Sequence, residues 1–281
     1  MYLPILVAVL GMAPVTLQAD TVIPVERGAR LDVDNFRGEV VVDVWSRSAV
    51  RVRADLSRDQ RVEVVRSGSV VRVRPATRRG GPQEADLEIT VPEWLHLRVE
   101  GNQVDVSVRG TKAEITVETV GGDIEVEGGA GLVNVRSIQG ELEIRGARGR
   151  IEAVSVNEEI TLEDVDGDLY VETTNGDVTM RGIRSSGTRA TTVNGDIVYE
   201  GTIRDNGRYV FSTHNGDVAV SVPPEANTTV SVSTYHGEFE SDFPVRLTGT
   251  GRDRQFTFTL GSGSARLELE SFNGEIRLFR P

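Results

Sequence analysis

The stretch TTNGDVTM, residues 173–180, is rewritten with small changes as TVNGDIVY at 192–199 and THNGDVAV at 213–220. One Asn-Gly-Asp is only a turn signal, because Asn and Gly tolerate the left-handed backbone of tight turns. Copies at near-even spacing, each followed by alternating aliphatic and polar residues, make a repeat. A repeat decides the fold before any single motif does.

Cutting the chain every nine residues from Gly122 gives ungapped rows as far as Arg184. Their third place is aliphatic throughout: Ile124, Val133, Leu142, Ile151, Ile160, Leu169, Val178. Their fifth is apolar: Val126, Val135, Ile144, Ala153, Leu162, Val171, Met180. The register reaches back through Ala113, Val104 and Leu95. It runs forward, with small insertions, through Ser186, Gly195, Gly207, Gly216, Thr228 and Gly237, and returns at Ala265 and Gly274. The segment ARLDVDNFRGEVVVDVWS, 29–46, fits two further rows. Apolar residues at alternate places are the signature of strands, and no 3.6-residue period is visible. Each row is one short strand and one bend. Such a strand cannot bury its apolar side alone, but stacked rows can.

The rows alternate in kind, so the true period is 18 residues. In one set the seventh place is always a hydroxyl: Thr119, Ser137, Ser155, Thr173, Thr192, Thr213, Thr234, Ser271. Two places later stand Gly121, Gln139, Asn157, Asn175, Asn194, Asn215, His236 and Asn273. Stacked amides can hydrogen-bond along an axis, so Asn157, Asn175, Asn194, Asn215 and Asn273 are expected to form a structural ladder. The pattern predicts an all-β chain: a single-chain β-solenoid of about nine coils, roughly 43 Å long at ~4.8 Å per coil. A β-rich N-terminal cap and first coil are expected over 20–94, and the repeat region over 95–281. Residues 47–92 break the register and read as irregular strands suited to capping an open end. The stretch 244–264 reads as an excursion or hairpin before the last coil.

Bulk composition sets further bounds. A net charge of −12 and a pI near 4.9 argue against nonspecific nucleic-acid binding. The pair Arg78-Arg79 sits in a loop too short to make a binding face. The chain has no cysteine, so disulfides and thiolate metal sites are excluded. The opening MYLPILVAVLGMAPVTLQAD is an apolar run ending in small and polar residues, with Ala19 before Asp20 as the expected cleavage point. Residues 1–19 are therefore expected to be a signal peptide, and the chain to be exported: periplasmic, cell-surface or secreted. No second hydrophobic span follows, so the mature chain is expected to carry no membrane span.

The tandem Asn-Gly-Asp and Asn-Gly-Glu corners resemble a bacterial putative-adhesin family of unknown function, related to putative auto-transporter adhesin head domains. ITVPEWLHLRVEGNQVDVSVRG, 89–110, and VDVWSRSAVRVRADL around Trp45 look like that family's lead-in. The resemblance covers about residues 29–281 and implies an exported β-solenoid without a known activity.

Among candidate chemistries the acidic column comes first. The second place of the Asn-Gly-Asp rows reads Asp105, Asp123, Glu141, Glu159, Asp177, Asp196, Asp217, Glu238 and Glu275. Carboxylates about 5 Å apart repel. Either solvent, turn N–H groups and neighbouring arginines offset this, or a cation does. Asp177, Asp196 and Asp217 are the candidates for a metal edge. The corners lack the G-G-x-G-x-D of calcium-binding nonapeptide rolls, so the reading favours no metal and no cofactor. His214 and His236 are expected in neighbouring coils, close to the Asn ladder, with structural roles. No catalytic constellation is identifiable, because acids lie along the whole stack. The resulting expectation is a non-catalytic, adhesin-like binding scaffold whose partner is a surface, glycan or envelope protein. The alternatives are a carbohydrate-active enzyme on a related solenoid, or a structural envelope protein.

Overall fold

The computed structural model describes residues 17–56, 60–77, 84–245 and 255–281. Most of the expected leader and the Arg78-Arg79 loop lie outside these residues. Strand β1, Leu17–Pro24, begins before the expected cleavage point.

The repeat folds as its alternation dictates. Strand β7, His96–Thr111, is long enough to serve both faces of a two-faced stack. From it one face is built of β8 (Ile115–Glu118), β10 (Ala130–Arg136), β12 (Arg148–Val154), β14 (Asp166–Glu172), β16 (Gly187–Thr191) and β18 (Arg208–Asn215). The other face takes β9 (Ile124–Gly128), β11 (Leu142–Arg145), β13 (Ile160–Glu163), β15 (Val178–Ile183), β17 (Ile197–Gly201) and β19 (Val218–Ser221). Neighbours on each face pair in parallel. The early registers are offset by 18 residues, as in Ile115↔Val133, Val133↔Ile151 and Leu142↔Ile160. Third- and fifth-place residues point inward and are buried, Ile160, Leu162, Val178 and Met180 completely so.

Core volume is conserved across coils rather than within columns. Thr188 and Ala190 leave room that Tyr199, Tyr209 and Phe211 fill, with ring centroids 5.0–6.0 Å apart. The buried phenols keep partners: Tyr199 donates to Thr202 O at 2.9 Å and Tyr209 to Ser185 O at 2.6 Å. Burial pushes the Tyr199 hydroxyl well above its ordinary range, so it stays a donor.

Both ends depart from sequence order. At the N-terminal end β2 (Arg30–Trp45) pairs with β7 along both faces. Its other side is covered by β5 (Val70–Thr77) and β6 (Asp86–Pro92), which the chain makes later. Outside these run antiparallel β4 (Gln60–Ser67), β3 (Ala49–Leu56) and finally β1.

At the C-terminal end the final coil is not last in space. Strands β23 (Ala265–Asn273) and β24 (Ile276–Phe279) lie directly on β18 and β19. The earlier coil, β20 (Thr228–Thr234) and β21 (Phe239–Ser241), stacks beyond them. Antiparallel β22 (Gln255–Leu260) then covers β20. The linear reading, which made His214 and His236 members of neighbouring coils, is corrected here: the level of Phe272 stands between them.

The residues explain the exchange. The final coil has the full code, with Leu267, Leu269, Ile276 and Leu278 buried and Asn273 in the ladder place. The β20–β21 coil has His236 in that place, and the half-exposed Ser241 where the fifth-place apolar residue should be. It is suited to an end, not an interior. The nine coils from β7 to β24 thus match the repeat in number, while β2 and β5–β6 add two levels in the cap.

Candidate functional site

The Asn-Gly-Asp corners stack into one edge of the solenoid, and each column on that edge has its own bonding. Asn175 Nδ2 donates to Asn157 Oδ1 at 3.1 Å; Asn194 donates to Asn175, Asn215 to Asn194 and Asn273 to Asn215, each at 2.8 Å. The run ends on a backbone carbonyl, Asn157 Nδ2 donating to Ile138 O at 3.3 Å. The glycines are there for closeness. A Cβ on Gly195 (φ 157°) or Gly216 (φ 150°) would fall 2.1 Å from the carbonyl oxygen of the glycine one coil below. No side chain fits there.

Just inside the corner lie the hydroxyls. Thr192 Oγ1 donates to Gly176 O at 3.0 Å, Thr213 to Gly195 O at 2.9 Å and Ser271 to Gly216 O at 2.9 Å. They satisfy part-buried corner carbonyls, which is why Ser or Thr recurs in that place.

The acidic column is bonded along the axis too. Asp177 Oδ1 accepts the Asp196 N–H at 2.8 Å, Asp196 that of Asp217 at 2.8 Å, and Asp217 that of Glu275 at 2.7 Å. Asp105 and Asp123 do the same for Asp123 and Glu141, at 3.0 and 2.9 Å. One oxygen of each aspartate is therefore already occupied by a backbone donor. One rung beyond Asp217 the Glu275 carboxyl is held above its ordinary range, by partial loss of hydration first and then by the charges of Glu240 and Asp217.

Between the hydroxyl and amide columns the eighth place points outward. Along the stack it reads Phe36, Asn102, Val120, Ile138, Val156, Thr174, Val193, His214, Phe272 and Tyr235. Among the described residues nine large hydrophobic side chains are exposed, and six of them (Phe36, Val120, Ile138, Val156, Val193, Tyr235) stand in this column at 36–45 % exposure. At its upper end His214 and Tyr235 stack on the two sides of Phe272, with centroids 4.7 and 5.0 Å away. Ring faces cover one another there, so what the ridge presents is ring edges and aliphatic methyls.

A family profile described as Toastrack DUF4097 matches residues 39–278. The chain belongs to the Toastrack DUF4097 family. Its fold is shared with a solved putative adhesin from Parabacteroides merdae, at 8 % identity and a TM-score of 0.52, covering 94 % of this chain and 96 % of that one. A putative adhesin from Bacteroides fragilis matches at 12 % identity over 96 % of this chain and 100 % of that one, with a TM-score of 0.38. A putative lipid binding protein from Parabacteroides distasonis matches at 10 % identity over 94 % and 97 %, with a TM-score of 0.41. No curated protein matches the chain.

The sequence reading of this Toastrack chain tracked the second, third, fifth, seventh and ninth places and passed over the eighth. The signal was present: Val120, Ile138, Val156 and Val193 are apolar where a solvated turn has no need of it. The structure brings Asp177, Asp196 and Asp217 together as successive rungs. Among the described residues no group of three or more His, Asp or Glu side chains is arranged to hold a metal ion. Millimolar calcium is accordingly expected to change the melting temperature no more than monovalent salt at matched ionic strength. The combined variant Asp177→Asn, Asp196→Asn, Asp217→Asn keeps each Oδ1 acceptor while removing the charge. It should fold, and should lose part of the parent's stabilisation by salt. A calcium-specific increment that disappears in this variant would overturn the assignment.

The cap carries a depression of about 530 Å³ lined by Glu39, Asp43, Arg53, Asp55, Asp86 and Glu88. Arg53 pairs with Glu88 at 3.1 Å, and Asp86 Oδ1 accepts the Glu39 N–H at 3.0 Å. These groups hold sheet edges together. No helix among the described residues is long and apolar enough to cross a membrane.

Proposed function

We propose that this Toastrack chain is an exported, non-catalytic, adhesin-like scaffold that binds a surface, glycan or envelope protein along its Asn-Gly-Asp edge. The observation that carries the proposal is the ridge: most of the exposed large hydrophobics stand in one column, rung upon rung, although the fold does not require apolar residues there. A solvated corner would be polar throughout; an exposed apolar column, broken at Asn102 and Thr174, marks an interaction surface. The ridge projects from the corner of the coils, one residue per level, instead of lining a cavity, and one side of it is lined by amides and carboxylates. That shape suits an extended or flat partner rather than a small molecule, which takes a concave pocket. The fold likeness to the Parabacteroides merdae protein, called a putative adhesin, is in keeping with this reading.

The test uses a variant with Val120→Ser, Ile138→Ser, Val156→Ser and Val193→Ser. Labelled parent and variant are applied to arrayed polysaccharides and extracellular-matrix proteins and to intact bacterial cells. The parent is expected to bind at least one class, and the variant to lose about tenfold or more in affinity, as removal of several contact side chains does, with its melting temperature kept. Equal binding by both chains would remove the ridge from the account. Breakdown of a bound polysaccharide would overturn the non-catalytic reading.

A further inference from the structure

The apolar ridge has a charged flank, and the charge there is uncompensated. Elsewhere on the surface carboxylates meet arginines: Glu125 and Glu163 both reach Arg145, and Arg184 and Arg204 both reach Asp166. Among the described residues none of the nine carboxylates of the acidic column, counted from Asp105 to Glu275, forms an ion pair. Asp177, Asp196 and Asp217 are exposed. Each gives one oxygen to the N–H of the next level, and the other oxygen has no hydrogen-bond donor among the described residues. Only an amide and a glycine separate a ridge residue from the acid of its corner, as Asn194 and Gly195 separate Val193 from Asp196. Apolar and anionic columns therefore run side by side along one edge.

Taking the ridge as the binding edge, on which this inference rests, we infer that its partner is a polypeptide: a cationic amphipathic helix whose apolar stripe lies on the ridge and whose lysines or arginines lie over the acidic column. Charge sets the sign of the partner, since like potentials repel and complementary ones steer and hold. An anionic polymer or lipid surface would meet the unpaired carboxylates. Sugars pack on the faces of aromatic rings, and from Val120 to Val193 the ridge has no ring. Spacing selects the helix. Levels of the stack repeat every ~4.8 Å. The turns of a helix laid along the stack repeat every ~5.4 Å, whereas one face of an extended strand repeats every ~6.6 Å. The helix thus slips by only ~0.6 Å per level and keeps contact over several rungs. The groove between two rows of its side chains takes a ridge that is one residue wide. Basic residues beside its apolar stripe then recur once per turn, as the carboxylates recur once per level.

The probes are labelled synthetic helices of about 15 residues, long enough to span five levels. One has a leucine stripe flanked by lysines, the second the same stripe flanked by glutamates, and the third lysines beside an alanine stripe. Each is titrated with the full chain, read by fluorescence anisotropy over a range of salt. The leucine–lysine helix is expected to bind, more weakly as salt rises, and the other two to bind at least tenfold less tightly. The variant Asp177→Asn, Asp196→Asn, Asp217→Asn should lose about tenfold in affinity for the leucine–lysine helix and much of its salt dependence. The four-serine ridge variant should lose a similar factor and keep the salt dependence. No binding of the leucine–lysine helix by the parent, equal binding of the glutamate or alanine helix, or an asparagine variant that binds like the parent would each overturn the cationic partner. Loss in the serine variant alone would leave the ridge as an interaction surface for a neutral partner. Loss in neither variant would remove the ridge as well.

Discussion

Replacing Ile160 with aspartate should destabilise the chain by about 4 kcal/mol or more, at the extreme of what single substitutions do. Ile160 is fully buried and lies between Leu142 and Val178 in parallel register. Its neighbours above, below and across are aliphatic, so an aspartate there finds no donor and must either stay charged unpaired or take up a proton. A solenoid coil contacts only its neighbours. The damage should therefore sit in the middle of the stack and reduce cooperativity as well as midpoint. Urea unfolding followed by circular dichroism reads both, the second as a smaller slope. Thr179→Asp, on the outward side of the adjacent strand, is the control and should stay within about 0.5 kcal/mol of the parent. If Ile160→Asp unfolds like Thr179→Asp, the third place is not core.

Ending the chain after Ser264 should cost more than the loss of a terminal coil normally would. Residues 265–279 form an interior level, between β18–β19 and β20–β21. Their removal takes away Leu267, Leu269, Ile276 and Leu278, all buried. At roughly 1.5–3 kcal/mol for each large apolar side chain, that is on the order of 6–12 kcal/mol of burial, comparable with the whole stability of an ordinary domain. The shortened chain is expected to lose strand signal at β20–β22 and to melt well below the parent. Added peptide spanning 265–281 should restore it. A shortened chain that melts within a few degrees of the parent would mean that β20–β21 docks directly on β18–β19. The seventh- and second-place residues Thr234 and Glu238 make that arrangement conceivable from sequence, so the result is informative either way.

The fold was largely legible because a solenoid writes its tertiary contacts into its period. Ile124, Leu142 and Ile160 recur every 18 residues because they stack on one another, so one pattern predicts strand, face and neighbour together. The stacking order at the ends was not legible from the period, which says what a coil is made of and not where the chain places it. The clue was in the exceptions: Ser241 in an apolar place and His236 in an amide place mark an end coil, and both occur before the complete coil at 265–279. The edge was half legible. Place-by-place counting isolated the amides and the acids. It could not tell which carboxylate oxygens would meet a backbone N–H one rung away, since that depends on side-chain reach: in each such bond the acceptor is an aspartate, never the longer glutamate.

The interleaved C-terminus also sets a timetable. A polypeptide emerges from its ribosome, or from a translocation pore, with its N-terminus leading. A stack built strictly in chain order could zip up rung by rung as it came out. Here the level over β18–β19 is supplied by residues that appear only after β20, β21 and β22 have already been made. Those strands must wait without their final neighbour, or lean on the wrong one and later step aside. Completion is thus withheld until residues 265–279 have emerged, so a chain stalled or cut before them cannot pass for a finished one.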